Sequence, residues 1–296
     1  MAKITLEWIE VTNDRLKKTI SDREERHSAL ISEWVSQYKN SSVDSEYAEA
    51  CSRIHDWFET RTAISREYLG WMFVGSFYFA ASFWSVCIPV ICGTFKVDIF
   101  NSLDTMPEKG KQMLTSNQTL CEEYARLWVD CFDYGYEIEK LCGFEDEDVS
   151  LTFSQSLFRS SEKHLTAAVS MMNHHRRPNF KAIEDSRMAI EVLLKAYLAE
   201  KTGLTEEIAK KEIGHNIHEA LQRCVRAGLT DLVSIGSRLV VFPDIKARYS
   251  GYEGTFGEIW SAYSIAQFVA ASVTRSLTGR DTRPNITLTR NGQKVN

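Results

Sequence analysis

At 296 residues the chain has room for one large or two ordinary domains, and 44% hydrophobic with 25% charged residues excludes disorder, collagen and a simple coiled coil. Fifteen Gly and five Pro are few for a turn-rich β fold, so an all-α protein is expected. The net charge of −5 hides an asymmetry: residues 1–150 hold 26 acidic and 15 basic side chains, net −11, and residues 151–296 hold 14 and 20, net +6. A phosphate-bearing ligand is therefore expected at the C-terminal half, with an attraction that falls as salt rises.

In chain order, Asn13 to Tyr38 and Ser45 to Tyr68 read as amphipathic helices parted by Lys39-Asn40-Ser41-Ser42. Leu69 to Gly93 then runs for 25 residues without a charge. Gly70, Gly75 and Tyr78 dilute it and Pro89 interrupts it, so it is expected to be a buried central helix, with Phe77, Phe83 and Val90 covered by the N-terminal helices. A membrane segment over the same residues is the alternative. Next comes a helix from about Ser116 to Leu141, with Leu120, Tyr124, Leu127, Cys131 and Tyr134 on one stripe and Gly143 as its stop. The acidic run Glu145-Asp146-Glu147-Asp148 marks the expected boundary. Residues 1–148 would thus form an acidic helical N-terminal domain in which no motif carries chemistry.

The C-terminal half is more clearly punctuated. Ser156 to Asn173 reads as a helix, and His174-His175-Arg176-Arg177 as a basic corner before Pro178. From Phe180 a helix runs to Gly203, with Ile190 and Leu194 inside, and a short one follows over Thr205 to Ile213. Asn216 with Glu219 caps the next helix, closed by Gly228, and Asp231 is placed to cap a segment reaching Phe242. Thr255 and Glu258 form a capping box for the last helix, whose stripe includes Tyr263, Ala266 and Ala270. Small residues beside that stripe, Ser261, Ala262, Ala271 and Ser272, suggest a second packing side and hence a homodimer or partner face. Residues 281–296 read as a polar tail.

Phosphate-loop, dinucleotide, nucleophile-elbow and zinc-protease signatures are all missing. The seven cysteines form no CxxC and no Cys/His pair at zinc spacing, and Met1 to Glu10 lacks the apolar core of a secretory signal. Reduced thiols in the cytoplasm, with no metal and no cofactor, are expected.

The run Ala189-Ile190-Glu191-Val192-Leu193-Leu194-Lys195-Ala196-Tyr197-Leu198, the helix opening Gly214-His215-Asn216-Ile217, and Arg248-Tyr249 before the final helix resemble the HEPN superfamily over about residues 155–278. The resemblance implies a four- or five-helix bundle over 149–280. It also implies a role in binding RNA, a nucleotide or a protein encoded next to it, in a bacterial defence or toxin and antitoxin system. Ribonuclease members of that superfamily use an R-x(4 to 6)-H motif shared across a dimer; Arg159 and His164 fit the spacing, although they fall in the first bundle helix. A metal-independent endoribonuclease is the resulting alternative, with Arg159 bearing phosphate charge and His164 moving a proton. For binding, His215 at a helix start suits an anion, Lys195 supplies a cation, Arg248 and Tyr249 a phosphate contact and a stacking face, and His174, His175, Arg176 and Arg177 contacts to a phosphate backbone.

Overall fold

The computed structural model describes residues 4–20, 23–37, 50–51, 53–54, 57, 71–90, 97–143, 150–174, 179–243, 254–285, 289–290 and 293–294. They fall into two compact units: residues 1–71 with 89–97, and residues 72–88 with 98–296.

The first unit contains α1 (Leu6–Leu16), with the Thr5 hydroxyl accepting from Trp8 N at 3.2 Å as its cap, and α2 (Arg23–Gln37). The helix expected over 13–38 is therefore two, because the chain turns after Leu16 through the Thr19 and Ile20 amides, which both donate to the Leu16 carbonyl. Ile9, Leu30, Trp34 and Ile54 form a small core of their own, and Arg15 pairs with Glu33.

The second unit opens with a correction. Residues 73–88 are not a helix but an antiparallel hairpin, β1 (Phe73–Phe79) and β2 (Ser82–Ile88), in register from Phe73 opposite Ile88 to Phe79 opposite Ser82. Aromatic and β-branched residues fill both strands, which suits the pleat better than a helix. Both faces are covered, since Ser76 and Phe77 are each 0% exposed, so the polar alternation of a half-buried strand never forms. No helix among the described residues is long and apolar enough to cross a membrane. Phe77 lies between the Tyr124 and Trp260 rings, Phe83 packs edge-on against Phe256, and Val90 is exposed rather than covered.

After a 3-10 turn (Ile99–Ser102) come α3 (Glu108–Ser116) and α4 (Gln118–Cys142), the latter capped by the Asn117 side chain and stopped at Gly143 with φ 71°. The expected stripe of α4 is the buried one: Tyr124, Leu127, Cys131 and Tyr134 point inward. Then follow α5 (Phe153–His174), α6 (Lys181–Thr202), a helical turn over 206–213, α7 (Ile217–Arg226), a 3-10 segment (Thr230–Val241) and α8 (Phe256–Thr278). The Gly203 C-cap is left-handed at φ 70°, and the Thr255/Glu258 capping box is made in both directions. Ile190, Leu194, Tyr263 and Ala270 are fully buried. The chain is mostly helical, with one hairpin docked on its bundle and a two-residue ladder, Thr289–Arg290 against Gln293–Lys294, near its end.

The hairpin seats closely because of two glycines. A Cβ at Gly75 would lie 2.6 Å from Cys131 Sγ, and one at Gly135 of α4 would lie 2.6 Å from Phe73 Cβ. Buried polar groups fix its position: Ser76 N donates to Tyr263 Oη, Ser76 Oγ donates to Asn173 Oδ1, and Asn173 Nδ2 donates to Ser85 Oγ. Aimed inward without those partners, each would carry the cost of an unsatisfied buried group.

The division between units falls at residues 71 and 72, not at the acidic run 145–148. The acidic run itself lies outside the described residues, and α4, which precedes it, buries its stripe in the same core as α5, α6 and α8. Charges bind it there too, with Arg275 Nε donating to Asp133 Oδ2 at 2.6 Å and Trp260 Nε1 to Glu123 Oε1 at 3.1 Å. Of the small residues of α8, Ala262, Ala271 and Ser272 are at most 1% exposed and pack within the chain, and Ser261 is half-buried. Asp231 does not cap the segment that follows it, but pairs with Arg283 at 2.8 Å.

Candidate functional site

Two of the three sequence pieces that carry the family resemblance, residues 189–198 and 214–217, meet in space. Arg187, Glu191 and Lys195 sit one turn apart on one side of α6, where a spacing of four residues puts side chains in reach. Asn216 caps α7 by accepting from Glu219 N at 3.1 Å, which turns the preceding residue, His215, back toward α6. Its Nδ1 lies 3.0 Å from Glu191 Oε1 and 3.2 Å from Oε2. Lys195 Nζ donates to the same Oε1 at 2.8 Å, and Arg187 Nη2 donates to the His215 carbonyl at 2.9 Å while its Nη1 stands 3.9 Å from Glu191 Oε2.

Glu191 is 2% exposed and is the negative centre of this cluster. His215 faces this carboxylate with Nδ1. The His215 side chain is 66% exposed and that of Lys195 12%, so the cluster reaches the surface at the histidine. Among the described residues, Glu191 is thus joined to Lys195, His215 and Arg187 at the corner where α7 begins. Such an arrangement is able to hold an anion by charge and hydrogen bonding.

Arg159 and His164 are placed on separate tasks. Five residues along a helix turn the direction by about 140°, so the two side chains leave α5 on different sides. Arg159 donates from Nε to the Cys142 carbonyl at 3.1 Å and from Nη2 to the Gly143 carbonyl at 3.0 Å, closing the end of α4. His164 Nδ1 lies 2.9 Å from Asp185 Oδ1 across the α5/α6 contact, and Asp185 Oδ2 is buried with no hydrogen-bond partner among the described residues. The structure does not bring Arg159 and His164 together within one chain.

His175, Arg176, Arg177, Arg248 and Tyr249 lie outside the described residues, as does the side chain of His174. Sequence reasoning missed Glu191 and Arg187 as partners of His215, although the spacing of Arg187, Glu191 and Lys195 was a readable signal. It also missed Asp185. Among the described residues no group of His, Cys, Asp and Glu is gathered in a way that could hold a metal ion. The thiols of Cys87, Cys142 and Cys224 are each pushed up to about 12, by burial first and, for the first two, by Asp104 and Glu162 beside them. They stay protonated and are poor nucleophiles at neutral pH.

No protein-family model matches the chain, and comparison with curated proteins and with solved structures gives no match either.

Proposed function

We propose that this protein is a HEPN-like binding module that takes RNA or a nucleotide by its phosphate at the corner formed by α6 and the start of α7. The observation that carries the reading is the convergence of Lys195 and His215 on the buried carboxylate of Glu191. Residues that the sequence resemblance singled out separately are thereby joined into one cluster open to solvent. Glu191 holds the Lys195 ammonium and the His215 ring in place, which lowers the ordering cost of gripping a phosphate. The net charge of +6 over residues 151–296 draws the same ligand.

The reading is tested by following the ring signals of His215 and His164 by NMR while a short single-stranded RNA is added to the full chain. His215 is expected to shift and His164 to stay. A shift of His164 alone, or of neither, would refute the placement.

The endoribonuclease reading keeps one observation in its favour, the carboxylate-held ring of His164. A histidine oriented in this way can serve as a base. Arg159 does not stand beside it, so this reading needs a phosphate-binding cation from elsewhere, and it ranks second. RNA cleavage in EDTA that disappears on His164→Ala would promote it.

A further inference from the structure

A groove of about 530 Å³, open to solvent, runs between α7 and the 3-10 segment Thr230–Val241. Leu221, Val225, Leu232 and Gly236 line its apolar part, and Val233 stands on its wall with 66% of its surface exposed. His218 and Arg226, two turns apart on α7, line its other side together with Gln222. Among the described residues that line it, none is acidic and none is a Phe, Tyr or Trp. Arg226 makes two long contacts, Nη2 at 3.6 Å from Glu219, which Arg223 Nε engages at 2.7 Å, and Nε to the Gln222 carbonyl at 3.4 Å, and its side chain is 69% exposed.

We infer that this groove is a docking surface for an acidic amphipathic helix of another polypeptide. Its apolar strip would cover Val233 and the floor, and its carboxylates would face His218 and Arg226. The charge of the rim selects the sign of the partner, and the apolar floor supplies the area to bury. Ten residues of α7 give the groove a length of about 15 Å, which matches two to three turns of a partner helix. Nucleic acid fits less well, because an apolar floor offers neither stacking rings nor donors for phosphates. The surface is separate from the Glu191 cluster, and the inference does not depend on the phosphate reading.

The test uses the full chain and a fluorescent synthetic helix of Leu, Ala and Glu with Leu at the i, i+3, i+4 and i+7 positions, beside a twin carrying Lys for Glu. Wild type is expected to bind the acidic peptide and not the basic one. Gly236→Leu grows a side chain into the groove from a position where a Cβ has its nearest neighbour, Leu221 Cδ2, at 3.9 Å. It should weaken binding by about tenfold or more without moving the unfolding midpoint, as should Val233→Asp. Arg226→Glu should weaken the acidic peptide and admit the basic one. Absence of binding by wild type, equal binding of both peptides, or binding untouched by Gly236→Leu would overturn the inference. So would displacement of the peptide by single-stranded RNA from wild type but not from Gly236→Leu, which would give the groove to nucleic acid.

Discussion

Glu191 and His215, 24 residues apart in sequence, meet at 3.0 Å and join the middle of α6 to the start of α7. Because Lys195, whose side chain is 12% exposed, bonds to that carboxylate as His215 does, its removal leaves the Lys195 ammonium largely buried without an acid, which is costlier than losing a surface pair. Glu191→Ala is expected to lower stability by about 3 kcal/mol, and Glu191→Gln by less, since the amide still accepts one bond. Urea unfolding measures both. Equal stability of Glu191→Ala and wild type would show that the cluster does not hold the two helices together.

The hairpin makes a second prediction. At Gly75 an added Cβ meets Cys131 Sγ at 2.6 Å and Tyr263 Oη at 3.1 Å, both on buried side chains that have little room to move. Gly75→Ala should cost about 1–3 kcal/mol by overpacking. Cys131→Ala in the same chain should recover part of the loss, because it removes the nearer atom.

Its turn makes a third. Ala80 and Ala81 have φ of 51° and 60°, the left-handed conformation that a two-residue hairpin turn of this hand demands and that alanine resists. A double variant that combines Ala80→Asn with Ala81→Gly supplies the residue types that adopt this conformation most readily, and it is expected to raise stability by about 1–2 kcal/mol. A drop in the thermal midpoint would contradict the turn geometry.

That turn also explains why the hairpin was not legible in the sequence. Asn-Gly or Asp-Gly between the strands would have announced it, and Ala-Ala does not. Burial on both faces removed the period of two, so within the apolar run over Leu69 to Gly93 only the aromatic and β-branched content pointed to strand. The capping boxes and stops behave differently. Thr255 with Glu258 and the glycine at 203 act locally, through bonds within one turn, and the helices they delimit were readable. The site lies between these cases. Lys195 and His215 were visible in local patterns, whereas Glu191 as their common partner and Asp185 as that of His164 are tertiary facts. The R-x(4)-H spacing of Arg159 and His164 was visible too, but helical geometry sends the two side chains to different neighbours.

A fourth prediction concerns pH. Asp130, beside Arg275 at 2.7 Å, has its carboxyl raised to about 7 because burial outweighs the nearby guanidinium. Asp133 adds to the rise, and Arg283 opposes it. The unfolded carboxyl titrates at 3.8, so the folded chain binds the proton more tightly. The contribution of this group to stability is therefore present in full below that value and is lost as pH rises through about 7. Asp130→Asn should show a flatter decline than wild type between about pH 4 and pH 7, the interval between the two titrations. Unfolding midpoints across that range measure it, and parallel curves would refute the assignment.

Salt-dependent RNA binding tests the phosphate reading most directly. The affinity of the full chain for a labelled single-stranded RNA is measured at several salt concentrations with EDTA present, for wild type and for Lys195→Gln combined with His215→Gln. Wild type should bind, with affinity falling steeply as salt rises. The double variant should bind more weakly to every sequence and with a shallower salt slope, because contacts to phosphate carry no base information. Wild type that fails to bind at low salt, or a double variant with unchanged affinity and slope, would contradict the assignment of this corner as the phosphate site.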